Sequence, residues 1–122
     1  MKKKLLLVDD SALARRSLRA ILEGGGFDVV EAEDGMVALE RYFLEKPDIV
    51  MLDLVMKGMY GLDVLGKLLQ MDPAARVIVV SADVQDSSHT LVATAGASAF
   101  INKPVERERV LEVVHRVLGG AA

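Results

Sequence analysis

The sequence predicts an α/β fold, with five strand–helix units in succession building an open parallel sheet covered by helices on both faces. Three observations predict it. Short aliphatic runs recur along the chain, and those at Leu5–Val8, Ile49–Leu52 and Val77–Val80 are apolar throughout, as strands buried on both faces are. Longer segments with apolar residues at three-to-four spacing separate them. Glycine, proline and aspartate punctuate the junctions. With 122 residues, the chain is expected to form one domain over 1–122.

The elements follow in order. Leu5–Val8 is the first strand. Leu13, Ala14, Leu18, Ile21 and Leu22 then line one face of a helix that Gly24-Gly25-Gly26 terminates. After the second strand, Phe27–Val30, a second helix carries Met36, Leu39, Tyr42 and Phe43, with Asp34 as its cap and Pro47 as its stop. Ile49–Leu52 is the third strand, and the following stripe of Leu62, Leu65, Leu68 and Leu69 ends at Asp72-Pro73. Val77–Val80 is the fourth strand. The segment from Gln85 to Ala95 is a weak helix whose large apolar residues are Leu91 and Val92. Ala99–Ile101 is the fifth strand, and Val110, Val113, Val114, Val117 and Leu118 form a strong last stripe before Gly119-Gly120. Five such units with right-handed crossovers make a flavodoxin-like (βα)5 domain of strand order 2-1-3-4-5. The six methionines are expected mostly within the core stripes, as packing.

Composition excludes several classes. The absence of cysteine removes disulfides, thiolate metal sites and thiol nucleophiles. A net charge of −3, 4% aromatics and no Trp argue against direct nucleic-acid binding. Lys2, Lys3 and Lys4 imitate the start of a secretion signal, but the apolar run stops at Asp9, well short of the roughly 7–15 residues a signal needs. No apolar stretch approaches the roughly 20 residues of a membrane helix. A cytoplasmic protein without membrane attachment is expected. No phosphate-cradling glycine motif supports nucleotide binding. His89 and His115 are expected on solvated helix faces.

Ligands of doubly wound sheets bind at the carboxyl ends of the strands. Asp9-Asp10 ends the first strand, Asp53 the third, Ser81-Ala82 the fourth and Lys103-Pro104 the fifth. In the order 2-1-3-4-5, Asp9, Asp10 and Asp53 converge on one crevice, with Ser81 and Lys103 on its rim. Three carboxylates in one cleft repel, so either one holds a proton or a divalent cation neutralises them. Oxygen-only ligands in small number suit Mg²⁺. A lysine and a hydroxyl beside such a site make sense for a phosphoryl group, and a carboxylate can serve as its acceptor. Each residue alone has a plainer reading, since Asp10-Ser11 could simply cap the first helix. The joint pattern at the ends of four strands carries the inference.

These residues are similar to those of the response-regulator receiver domains of two-component signalling, along the full length of the chain. The likeness lies in Leu6-Leu7-Val8-Asp9-Asp10-Ser11, in Ile49–Met56, in Val80-Ser81-Ala82 and in Gly96–Pro104. The resemblance implies that Asp53 takes phosphate from a histidine kinase. It implies that Asp10 and Asp53 ligate Mg²⁺ with the backbone carbonyl of Val55, and that Asp9 acts mainly through bound water. Ser81 and Lys103 would each engage a phosphoryl oxygen. Lys103–Pro104 is a candidate cis peptide. Phe100 occupies the place of the family's switch aromatic, although an ordinary core aromatic is an equal reading. The implied partners are a sensor histidine kinase or histidine phosphotransfer protein and a downstream protein target. The switching surface would be the fourth helix, fifth strand and fifth helix, on a monomer or a phosphorylation-dependent dimer.

Two positions depart from the family's frequent Met-Pro-Gly-Met-Asp-Gly run. Lys57 replaces the proline and Tyr60 the aspartate in Met56-Lys57-Gly58-Met59-Tyr60-Gly61. Loss of proline frees the loop backbone, and Lys57 adds positive charge near the site. The implied protein catalyses only its own phosphorylation and dephosphorylation and is not otherwise an enzyme. Other readings are a receiver within a larger regulator that has a DNA-binding or enzymatic output, and an aspartyl-phosphate phosphatase. The latter class places a second Asp two residues after its nucleophile, where this chain has Val55. A flavin-binding flavodoxin is opposed by the scarce aromatics and the acidic crevice.

Overall fold

A computed structural model describes residues 2–56, 60–82 and 86–119. Strands and helices alternate as β1 Lys4–Val8, α1 Ala12–Gly24, β2 Asp28–Ala32, α2 Gly35–Glu45, β3 Ile49–Asp53, α3 Gly61–Met71, β4 Val77–Ser81, α4 Asp86–Thr94, β5 Ala99–Asn102 and α5 Arg107–Gly119. The five strands form one parallel sheet in the order β2-β1-β3-β4-β5, as the sequence predicts. Strand limits move by a residue or two, most at β2, which starts after Phe27 and runs on to Ala32.

Alternation along the strands sorts the core into two halves. Leu6, Val8, Val50, Leu52, Val77 and Val79 pack toward Ala38, Val64, Leu65, Leu68 and Val92, on the side covered by α2, α3 and α4. Leu5, Leu7, Ile49, Met51, Ile78, Val80 and Ile101 pack toward Leu18, Leu22, Val110, Val113 and Val114, on the side covered by α1 and α5. Burial on both faces is why these strands read as continuous aliphatic runs. Local chemistry sets the helix starts. Ser11 accepts from the Ala14 N–H at 3.1 Å to cap α1, and Asp34 accepts from the Val37 N–H at 2.8 Å to cap α2.

Three stripe residues are misplaced by the periodicity. Leu13, Met36 and Phe43 are exposed, at 73, 67 and 70%. Leu13 and Met36 sit in the first turns of α1 and α2 and Phe43 in the last turn of α2, so the mismatch lies at the helix ends. The methionines divide likewise, with Met51 and Met56 buried and Met36 and Met71 exposed. In α4, Val92 is the buried residue among the described side chains, in keeping with its weak stripe. Lys57, Gly58, Met59, Gln85, Gly120 and the His89 side chain lie outside the described residues. His115 is exposed but stacks at 5.4 Å, tilted, on the ring of Phe27. Among the described residues no helix is long and apolar enough to cross a membrane.

Candidate functional site

Backbone bonds carry the sheet one step past the strand ends and set the site. The Asp9 N–H donates to the Ala32 carbonyl at 3.2 Å, the Leu54 N–H to Val80 at 3.0 Å and the Lys103 N–H to Ser81 at 2.8 Å. Side-chain alternation then decides what meets. Asp9 and Lys103 continue the parity of Leu7 and Ile101, and Asp53 shares that of Met51, so all three belong to the α1/α5 side. Their atoms confirm it. Lys103 Nζ stands 3.3 Å from Asp9 Oδ2 and 3.6 Å from Asp53 Oδ2.

Asp9, Asp10 and Asp53 each bring a carboxylate oxygen within 4.8 Å of the others. Asp9 and Asp53 are 2% and 8% exposed, whereas Asp10 is open to solvent. Asp9 Oδ1 accepts the Ser11 N–H at 2.9 Å, and Asp53 Oδ1 accepts a long bond of 3.4 Å from the Val55 N–H. Three acidic groups against one ammonium leave the cluster short of positive charge. Their hard oxygen donors, partly open to water, fit a divalent cation such as Mg²⁺, which keeps much of its hydration shell.

Ser81 departs from its expected place on the rim. It is 1% exposed, buried within the sheet. It lies on the parity of Val77 and Val79, and Phe100 pairs with Val79 in the β4–β5 register. Ser81 and Phe100 therefore share the α2–α4 side on neighbouring strands. Phe100 is half-buried and packs on that half of the core. The Lys103–Pro104 peptide is cis. Val55 is exposed.

Two contributors escape sequence reasoning. Gly61 brings its N–H to the Leu54 carbonyl at 2.8 Å, and a Cβ there would lie 2.5 Å from the Asp53 carbonyl oxygen. The backbone of α3 thus abuts the residue that follows Asp53. Tyr60, the N-cap of α3, offers no side-chain cap bond, so this close approach holds the helix start instead. Arg15, from the first turns of α1, donates to the Asp9 carbonyl at 2.6 Å.

Electrostatics single out Asp53. Burial pushes its carboxyl above the usual carboxylate range; Lys103 opposes this, Asp9 adds to it, the Val55 N–H opposes it and Asp10 adds to it. A carboxyl with a raised pKa in the folded state penalises folding once it ionises, and the penalty fades as pH falls toward its unfolded value of about 3.9. In Mg²⁺-free buffer Asp53→Asn is therefore expected to raise the urea midpoint at pH 7. The advantage should shrink steadily on acidification to about pH 4. A midpoint difference independent of pH contradicts the assignment.

The sequence matches the family model of the response regulator receiver domain over residues 5–115. It is 41% identical over 119 residues to the chemotaxis protein CheY of Bacillus subtilis, covering 97% of this chain and 99% of that protein. The CheY-like receiver domain protein of Methanospirillum hungatei superposes with a TM-score of 0.92 at 28% identity, over 98% of this chain and 95% of its own. The CheX–CheY–BeF3–Mg²⁺ complex from Borrelia burgdorferi does so with 0.89 at 34% identity, over 93% and 87%. A five-stranded sheet in this order and an acidic mouth beside a lysine are thus joined by likeness along almost the whole sequence, and the chain belongs to the response regulator receiver domain family.

Proposed function

We propose that Asp53 accepts a phosphoryl group from the phosphohistidine of a sensor histidine kinase or histidine phosphotransfer protein, in a Mg²⁺-dependent reaction, and that the phosphorylated domain controls a downstream protein. The observation that carries this is the buried Asp53 carboxylate, with Lys103 at 3.6 Å and two further carboxylates in reach. Val55 and Lys103 stand at different oxygens of Asp53, which fixes the plane of the acceptor. A carboxylate oxygen attacks phosphorus, the donor's P–N bond breaks, and the imidazole leaves with the bonding pair and a proton on its ring. Lys103 pairs with one phosphoryl oxygen and the Ser81 hydroxyl donates to another. Asp10, Asp53 and the Val55 carbonyl would hold Mg²⁺, and Asp9 would act through water; when bound, the ion offsets the charge of carboxylates and phosphoryl oxygens. Water later hydrolyses the acyl phosphate in the same site, restoring Asp53 and releasing inorganic phosphate.

Ser81 and Phe100 supply the switch in this reading. A phosphoryl oxygen draws the Ser81 hydroxyl toward it, and the space left favours a deeper position of the Phe100 ring. The surface of α4, β5 and α5 changes with it, and the shallow hold of α4 on the core suits that motion. The chemistry is tested by incubation with acetyl phosphate and Mg²⁺. A mass gain of one phosphate is expected, lost in Asp53→Asn and lost with a chelator; a gain that persists in Asp53→Asn removes Asp53 as acceptor. Chemical-shift changes that stop at the loop after Asp53 would count against the switch.

A further inference from the structure

Asp9 is held at every polar atom. Its N–H donates to Ala32, its Oδ1 accepts from Ser11, its Oδ2 faces Lys103, and its carbonyl accepts from Arg15 Nη1 at 2.6 Å. That carbonyl belongs to the peptide that carries Asp10. Asp10 lies two residues past Val8, the last residue of β1. The plane of the Asp9–Asp10 peptide therefore sets where the Asp10 side chain departs.

Arg15 is itself aimed. Its Nε pairs with Glu31 Oε1 at 2.9 Å, and the other oxygen of Glu31 pairs with Arg19 Nη1 at 2.6 Å. The side chain of Arg15 is 16% exposed against 41% for Arg19. Two edges of one planar guanidinium thus join β2 to the loop after β1, a geometry a lysine cannot copy. The Arg19 and Arg15 bonds hold the Glu31 carboxyl below the usual range against its desolvation, so it stays ionised and keeps Arg15 in place at neutral pH.

We propose that Arg15 is a positioning residue of the acidic site, fixing the Asp9–Asp10 peptide and through it the affinity for Mg²⁺. This rests on the Mg²⁺ site of the proposed function. Its sign separates it from a simple charge effect. A cation near three carboxylates repels Mg²⁺, so deleting Arg15 as a charge alone would tighten binding. Deleting it as a strap weakens binding, by roughly tenfold if it acts as outer partners of metal ligands do.

The experiment titrates Mg²⁺ into the wild type, Arg15→Lys, Arg15→Gln and Arg16→Gln, following backbone resonances by NMR. Arg15→Lys and Arg15→Gln are expected to lose affinity roughly tenfold. Both should also shift the Asp9 carbonyl carbon resonance before any Mg²⁺ is added, while Arg16→Gln keeps wild-type affinity or gains slightly. Wild-type affinity in Arg15→Lys, or tighter binding in Arg15→Gln, overturns the proposal. If the Arg15 variants fail to fold, Glu31→Ala decides through the Asp9 carbonyl carbon resonance in Mg²⁺-free buffer, because it leaves Arg15 in the chain but unaimed while its lost charge weakens Mg²⁺ binding by itself; a shifted resonance is expected, and an unchanged one overturns the proposal. A wild type that takes up no Mg²⁺ defeats the functional reading itself, a separate result.

Discussion

Lys103→Met is expected to slow phosphorylation by acetyl phosphate about a hundredfold or more, the scale of losing one preorganised charge partner at a transferring group. The same substitution should tighten Mg²⁺ binding. Lys103 Nζ sits 3.3 Å from Asp9 and 3.6 Å from Asp53, so it competes with a divalent cation for the same carboxylates. Removing it lowers the repulsion that an incoming ion meets. Slower chemistry together with tighter metal binding is a combination that general damage to the fold does not produce. Stopped-flow rates at saturating Mg²⁺ and a Mg²⁺ titration read the two halves separately. An unchanged rate at saturation would remove Lys103 from the phosphoryl site.

Gly61→Ala is expected to destabilise the domain by about 1–3 kcal/mol, the usual cost of forcing extra volume into a packed place. The new methyl would meet the Asp53 carbonyl oxygen at 2.5 Å and Leu54 Cα at 2.7 Å, and both are backbone atoms that move only with β3. Phosphoryl uptake should fall too, because the displaced backbone is the one that carries Asp53. Gly66→Ala in the same helix is the control. Among the described residues no atom outside the helix's own backbone and the neighbouring residues lies within 4 Å of a Cβ there, so helix propensity governs and stability should rise by up to about 1 kcal/mol. Urea denaturation of the two variants should give midpoint changes of opposite sign. A neutral Gly61→Ala would mean that α3 can retreat without cost.

The fold was legible because both faces of the sheet are covered. Leu5–Val8, Ile49–Leu52 and Val77–Val80 had to be apolar throughout, and such runs separated by amphipathic stretches admit few topologies. The ionic residues were legible because they stand one step from those runs. What depends on three-dimensional approach was not. Arg15 in an amphipathic helix looks like any solvated cation until β2 places Glu31 beside it. Gly61 looks like loop punctuation until the loop folds back on Leu54. Ser81 reads as a rim residue because a sequence gives position along the strand and not depth. Leu13, Met36 and Phe43 satisfied the helical period, but a period says nothing about where the partner surface ends.

Pairing in the sheet and assembly of the acidic mouth are one event. Ser81 pairs with Asn102, and the next residue delivers its ammonium to Asp9 and Asp53. A slip of β5 by a single place would present the amide of Asn102 or the ring of Pro104 where that charge belongs, and would turn Ile101 out of the core. Half-assembled versions of the mouth are thereby unavailable to the native sheet. A molecule able to hold phosphorus has, by that fact, certified the alignment of its own strands.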